Sequence, residues 1–315
     1  MHRVGYILSE GFQILAIGTQ AVFEFANLVA GEPFYEVRNH ALGGGELRSS
    51  IGMTMQTRPL TARSRADTWM VAGVIDPLPQ PADPELLRLL RLAAPRARRV
   101  AGLCTGAFVL AQAGLLEGRR ATTHWSYADA MQQRHPGIRV EADRIFISDG
   151  PLWTSAGMTA GMDLALGLVE KDLGEAVARS VAHRLVMPQR RAGGQSQHSE
   201  LLKLAPKTDR IQQALDHARR HLAQPLGVEE LAAVAHLSPR QFSRVFMAET
   251  GQSPAKAIEG LRLEAARLMI EQSRHPLEVV ARETGFRDRR HLREAFLRGF
   301  GVPPQGLRRR AREAA

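Results

Sequence analysis

The chain has 315 residues, 44% hydrophobic and 23% charged, with a formal net charge of +10; at roughly 100–200 residues per domain, that is two globular domains rather than one. No uninterrupted apolar run approaches the ~20 residues of a membrane-spanning helix, which excludes a membrane protein, and the N-terminal MHRVGYILSEGF has too few apolar residues for a secretory leader, so a cytoplasmic location is expected. The single cysteine, Cys104, excludes a disulfide framework and any multi-cysteine zinc site, and no metal or cofactor is expected.

In chain order, short apolar runs alternate with helical stripes up to about residue 187, the pattern of a parallel sheet covered by helices. Strands are predicted at Val4 to Leu8, Trp69 to Ala72, Val100 to Leu103, Ile145 to Ser148 and Leu152 to Ser155. Helices are predicted over Asp83 to Ala94, which opens with a capping Asp and Pro84 at the first helical position, and over Thr159 to Leu173. The run VAGLCTGAFVLAQAGLL, 100–116, passes from a buried strand through a tight turn into a helix with Cys104 at the corner. That is a nucleophile-elbow pattern: a thiol near a helix N-terminus is favoured as thiolate, and the backbone N–H groups after it suit an oxyanion. Twenty residues on, ATTHWSY, 121–127, supplies His124 as a partner and Trp125, whose indole can stack on a cation although a Trp after a strand is more often core.

The segment PQRRAGGQSQ, 188–197, has no apolar periodicity and reads as the start of a linker spanning 188–207, between a first domain at 1–187 and a second at 208–315. The second domain is the basic part, with 20 Lys/Arg against 13 Asp/Glu over 207–315. It contains a repeat: LAAVAHLSPRQFSRVF, 231–246, matches VVARETGFRDRRHLREAF, 279–296, at an offset of 49 before the turn and 50 after it. Each copy reads as helix, turn, helix, with turns at His236-Leu237-Ser238 and Gly285-Phe286-Arg287, and a long helix from Pro254 to about Gln272 with Ile258, Leu261, Leu268 and Met269 inward joins them. With Phe242, Val245 and Phe246 inward, Arg240, Gln241, Ser243 and Arg244 point outward in the first copy, and Arg287, Asp288, Arg289, Arg290 and Arg293 in the second. Arg pairs bidentately with guanine and Gln with adenine, while Arg on phosphate adds affinity without sequence information. Duplex DNA is the expected partner, bound through Arg240, Gln241, Ser243, Arg244, Arg287, Arg289, Arg290 and Arg293.

On these two motifs residues 208–310 resemble the AraC/XylS-type double helix-turn-helix domain, which implies that each second helix enters a major groove, the two grooves lying on one DNA face. Glu294 departs from that family, which usually has a basic residue where Arg244 stands in the first copy. The elbow, ATTHWSY and TSAGMTAGMDLALGLVE, 154–170, resemble the PfpI-like, class I glutamine amidotransferase-like domains over about residues 3–187, implying a flavodoxin-like parallel sheet. Enzymes of that family carry an acid on the first strand-to-helix connection; in GFQILAIGTQAVF, 11–23, Ala16 stands there, and AGVIDP keeps only Gly73 of the usual paired glycines. Glu10 and Glu24 lie nearby but read as surface carboxylates. Cys104 and His124 are therefore vestigial, no catalysis is expected, and Gly73, Cys104, Thr105, His124, Trp125 and Ser155 are expected to bind a small-molecule effector.

From end to end the chain resembles the GlxA-type regulators. The resemblance implies a homodimeric, ligand-sensing transcription regulator, with RNA polymerase as a compatible further partner. The alternative is a Cys-dependent amidase or hydratase fused to a DNA-binding domain, and Ala16 separates the two.

Overall fold

A computed structural model describes residues 1–79, 81–187, 204, 208–272 and 275–313. The chain divides into two compact units, Met1–Gln197 and His198–Ala315. The span read as a linker falls outside the described residues except at Leu204, which is buried in the second unit's core. Among the described residues no helix is long and apolar enough to cross a membrane.

The first unit is built on β1 (His2–Ile7), β2 (Tyr35–Ala41), β3 (Gly45–Arg48), β4 (Thr54–Pro59), β5 (Thr68–Ala72), β6 (Arg99–Leu103), β9 (Phe146–Asp149) and β10 (Leu152–Ser155), ordered β3-β4-β2-β1-β5-β6-β10-β9. The inner pairs are parallel, and only the outermost pairs, β3 with β4 and β9 with β10, are antiparallel. A separate parallel pair joins β7 (Arg120–Ala121) to β8 (Arg139–Val140). Central strands buried on both faces must send alternate side chains into different cores. In β5, Met70 and Ala72 pack with α1 (Leu15–Gly18), α2 (Gln20–Ala30), α6 (Met158–Leu173) and α7 (Glu175–Arg184), while Trp69 and Val71 pack with α3 (Pro84–Ala93), α4 (Gly106–Gln112) and α5 (Trp125–Arg134). The chain leaves β1 for β2 on one side and later returns to β5 on the other. The crevice beyond the C-terminal ends of the strands at this reversal is where open α/β sheets bind ligands.

The second unit is helical: α8 (Asp209–Arg220), α9 (Val228–Val234), α10 (Pro239–Thr250), α11 (Pro254–Gln272), α12 (Leu277–Glu283), α13 (Arg289–Phe300) and α14 (Pro304–Glu313). It has two cores bridged by α11. Ala257, Ile258 and Leu261 pack with α8, α9 and α10, and Leu263, Ala266 and Ile270 with α12, α13 and α14. Leu268 and Met269, expected inward, are only half-buried; the stripe runs through Ala266 and Ile270 instead.

The two turns are alike where the sequences are not. Gly285 has φ +77° and its equivalent His236 has φ +55°, both left-handed. At Gly285 a Cβ would lie 2.0 Å from the Leu222 carbonyl oxygen and 2.6 Å from Arg262 Nε, so glycine is required for close approach as well as for its backbone angle. Arg262 Nε donates to Leu222 O at 3.0 Å and its Nη2 to Gln224 O at 2.6 Å, tying α11 and the second turn to the end of α8. His236 is exposed and carries the strain alone. His236→Gly is therefore expected to raise the melting temperature and His236→Val to lower it, the two variants differing by about 1–2 kcal/mol. Thermal unfolding of both, with the reverse order of midpoints, would contradict this account of the turn.

Candidate functional site

The elbow follows β6. Cys104 has φ +52°, an unfavourable angle for a residue with a side chain, and is held there because α4 starts directly beneath the end of β5. At Gly73 a Cβ would come within 2.0 Å of Thr105 Oγ1, and at Gly106 within 2.2 Å of Val71 O. Thr105 Oγ1 donates to Val74 O at 2.5 Å, Thr123 Oγ1 donates to Cys104 O at 3.0 Å, and the Cys104 N–H donates to Ser155 Oγ at 3.4 Å. Gly73, Cys104, Thr105 and Ser155 thus lie together at the elbow.

The thiol's surroundings differ from the expectation. Cys104 is buried, and burial pushes its pKa up to about 11, outweighing hydrogen bonds from the Thr105 backbone and the Gln13 side chain. The start of the seven-residue α4 does not make a thiolate. Gln13 was not foreseen: its backbone N–H donates to Gly73 O at 2.9 Å, its side chain reaches the thiol, and its Oε1 is buried with no hydrogen-bond partner. Ala16 is buried in the core beside Thr19, whose hydroxyl donates to Ala16 O at 2.7 Å and meets Tyr6 Oη at 2.6 Å. Glu10 and Glu24 are exposed, as read.

His124 caps α5. Its Nδ1 accepts from the Ser126 N–H at 3.3 Å and lies 2.7 Å from Ser126 Oγ, which puts the proton of a neutral ring on Nε2. Trp125, ordinarily core in such a position, is 53% exposed, with its ring centroid 5.5 Å from that of His124. Tyr127 Oη donates to Ile75 O at 3.0 Å, fastening α5 to the loop after β5. Beside the elbow an open cavity of about 680 Å³ is lined by Glu10, Gly44, Asp76, Asp83, Thr105 and Phe108, among others. Of the six expected effector residues only Thr105 lines it; Cys104, His124 and Trp125 stand outside.

In the second unit Ser238 caps α10, accepting from the Gln241 N–H at 3.3 Å, and Gln241 Oε1 in turn accepts from the Ser238 N–H at 3.2 Å, so Gln241's carbonyl is engaged in a capping box. Asp288, of the expected outward set, is exposed and also caps α13, its carboxylate accepting from the His291 N–H at 2.7 Å. That bond, with Arg287 nearby, holds the Asp288 carboxyl below its ordinary range. Arg240, Arg244 and Arg293 are exposed and Ser243 is half-buried. Among the described residues Arg240 and Arg244 make no ion pair, whereas Arg289 faces Glu278 at 3.3 Å, Arg290 faces Glu294 at 3.0 Å and Arg287 faces Asp288 at 3.8 Å.

Known proteins carry the same two parts. A helix-turn-helix domain family matches residues 231–310 and the DJ-1/PfpI family matches residues 34–171. The HTH-type transcriptional regulator GlxA of Rhizobium meliloti is 30% identical over 99% of this chain and 97% of its own length. An isonitrile hydratase of Pseudomonas putida is 42% identical over 44% of this chain and 59% of its own. The crystal structure of an AraC family transcriptional regulator from Pseudomonas putida, 28% identical, covers 59% of this chain and 100% of that one with a TM-score of 0.54. End-to-end similarity to a regulator, with both domain families in the same order, places the chain in the family of DNA-binding transcription regulators that join a DJ-1/PfpI domain to an AraC-type helix-turn-helix domain.

Proposed function

We propose that the DJ-1/PfpI unit is a non-catalytic sensor whose effector, a small metabolite, enters the crevice at the elbow and biases how a homodimer presents its helix-turn-helix units to an operator. The observation that carries this is the state of Cys104: a buried thiol with a raised pKa, a glutamine as its side-chain partner and Ala16 where an orienting acid is needed. A protonated thiol is a poor nucleophile, and nucleophile, base and orienter act as a unit. Gly73, Cys104, Thr105 and Ser155 then shape the floor of the crevice, and His124 and Trp125 form its wall. The adjoining cavity carries Glu10, Asp76 and Asp83 and, among the described residues, no basic residue in its lining, which suits a metabolite bearing a positive charge or hydrogen-bond donors. For the dimer, the support is a set of exposed apolar side chains, Leu15 at the start of α1 and Ile51, Met53 and Ile75 on loops hydrogen-bonded to the segment before α1 through Gly11, Phe12 and Gln13. Binding free energy for one arrangement over the other is all the coupling such a regulator needs.

The hydratase relative keeps an enzymatic reading in view, and one experiment addresses both. The full chain is screened against small nitrogenous metabolites by thermal shift, with amidase and hydratase assays run on the same samples. The sensor reading expects a metabolite that raises the melting temperature, by about 2.7 kcal/mol of stabilisation at a hundred times its Kd, and no turnover above that of Cys104→Ser. Turnover of about 1 per second or more that Cys104→Ser abolishes would overturn it.

A further inference from the structure

The outward faces of α10 and α13 correspond position by position at an offset of 50, with one reversal of charge. Phe242 and Phe246 turn inward in α10, as Leu292 and Phe296 do in α13. With 3.6 residues per turn, residues 240, 244 and 247 then lie at the centre of the outward face of α10, and 290, 294 and 297 at the centre of that of α13. Met247 and Leu297 are both exposed there. Arg240 corresponds to Arg290, but where α10 has Arg244, α13 has Glu294, which accepts from Arg290 Nε at 3.0 Å. The Arg290 side chain is 88% exposed and that of Glu294 50%.

Stability does not account for the carboxylate. An exposed pair four residues apart contributes little, and least with the cation on the N-terminal side. Affinity for the DNA backbone does not account for it either, because phosphates repel it. What a carboxylate can engage in a major groove is a base that donates, and cytosine N4 is the donor matched to glutamate as guanine O6 and N7 are to arginine.

We propose that Glu294 is a specificity-determining residue: it accepts a hydrogen bond from the N4 amino group of a cytosine in the half-site read by the second helix-turn-helix, and it holds Arg290 toward a guanine at a neighbouring base pair. This rests on α13 entering a major groove. Arg290 Nε is occupied by Glu294, leaving the two terminal nitrogens to donate to guanine. Four residues of helix rise about 6 Å, nearly two base-pair steps of roughly 3.4 Å, and the hydrogen bond draws the two heads together, so they reach pairs one or two steps apart. With Arg287 and Arg289 also beside carboxylates, the second helix-turn-helix contributes discrimination, and the less neutralised first helix-turn-helix contributes more of the salt-sensitive affinity.

The test uses the full-length protein. Operators are selected from a random duplex library, and each cytosine of the second half-site is then replaced by 2-pyrimidinone, which lacks only the 4-amino group. Wild type is expected to lose about tenfold in affinity at one such position, Glu294→Ala less than about twofold there, and Glu294→Gln is expected to select adenine at that position. Glu294→Ala is also expected to bind unselected duplex more tightly than wild type. If Glu294→Ala gains the same factor on every duplex and keeps every base preference, the carboxylate only repels backbone and the proposal is wrong. A wild-type protein that selects no duplex overturns the groove docking beneath it, and that failure is visible before any substitution is made.

Discussion

Asp172→Ala is expected to destabilise the first unit by about 3–5 kcal/mol, because it strands a buried arginine. The Asp172 side chain has no exposed surface and that of Arg99 is 8% exposed; their Oδ2 and Nη2 atoms are 2.5 Å apart. Tyr35 Oη donates to the same Oδ2 at 2.9 Å, and burial together with Asp172 holds this phenol protonated far above its ordinary range. Arg99 Nε also donates to Thr68 Oγ1 at 3.3 Å, and His2 Nε2 meets that hydroxyl at 2.8 Å. The cluster thus joins the first residues of β1, β2, β5 and β6 to the last turn of α6. It sits at the end of the sheet opposite the elbow, so its loss is expected to destabilise the unit without altering the crevice of the folded protein. For a unit of this size the melting temperature should fall by roughly 6–20 °C, while Tyr35→Phe, losing one hydrogen bond to a charged group, should cost about 1.5–3 kcal/mol. Burial also lowers the His2 pKa from 6.5, so the unfolded chain binds the proton more readily; the stability tied to neutral His2 is present above pH 6.5 and declines as the pH falls. An Asp172→Ala protein melting within a degree or two of wild type would show that the cluster carries no such weight.

Arg240→Ala and Arg244→Ala should each weaken binding of the full-length protein to its operator by about 1–3 kcal/mol, roughly 5- to 150-fold. Both lie at the centre of the outward face of α10, whose inner face is fixed by Phe242 and Phe246 and whose start is fixed by the Ser238–Gln241 capping box. Neither makes an ion pair among the described residues, so both guanidinium groups are available to DNA without first leaving a carboxylate. If a side chain reads a base, its removal reduces the preference at one position of the site. If it contacts phosphate, binding weakens equally on all sequences and the slope of log K against log salt falls by about one. Anisotropy titrations at several salt concentrations, on selected and scrambled duplexes, separate these outcomes. Affinity unchanged by both substitutions on every duplex would remove α10 from the interface.

The strands β1, β5 and β6 announce themselves as apolar runs, and the repeated helix-turn-helix is visible because buried Phe242, Phe246, Leu292 and Phe296 recur at helical spacing. The pair β3 and β4 does not, since GELR and TMQTRP are polar strands at the margin of the sheet with mostly exposed side chains. The elbow was legible as strand, tight turn and helix. The protonation state of its thiol was not, because burial depends on what packs over Cys104 from elsewhere in the chain, Gln13 and Ser155 included. Gln13 escapes notice because an uncharged amide gives no sequence signal beside a missing acid. Trp125 is exposed because it opens α5 directly after the His124 cap. In the second unit the Arg290–Glu294 pair follows from four-residue spacing, whereas Arg289 meeting Glu278 across eleven residues needs the fold of the turn.

This regulator is expected to dock both helix-turn-helix units into DNA, and a hydroxyl-radical footprint of the full-length protein on its selected duplex tests that docking most directly. The expected result is two protected patches per protomer on one face of the duplex, about 10 base pairs apart, the second of them lost when Arg290 and Arg293 are both replaced by Ala and the first retained. One patch per protomer in the wild type, or two patches that survive every substitution on α10 and α13, would contradict it.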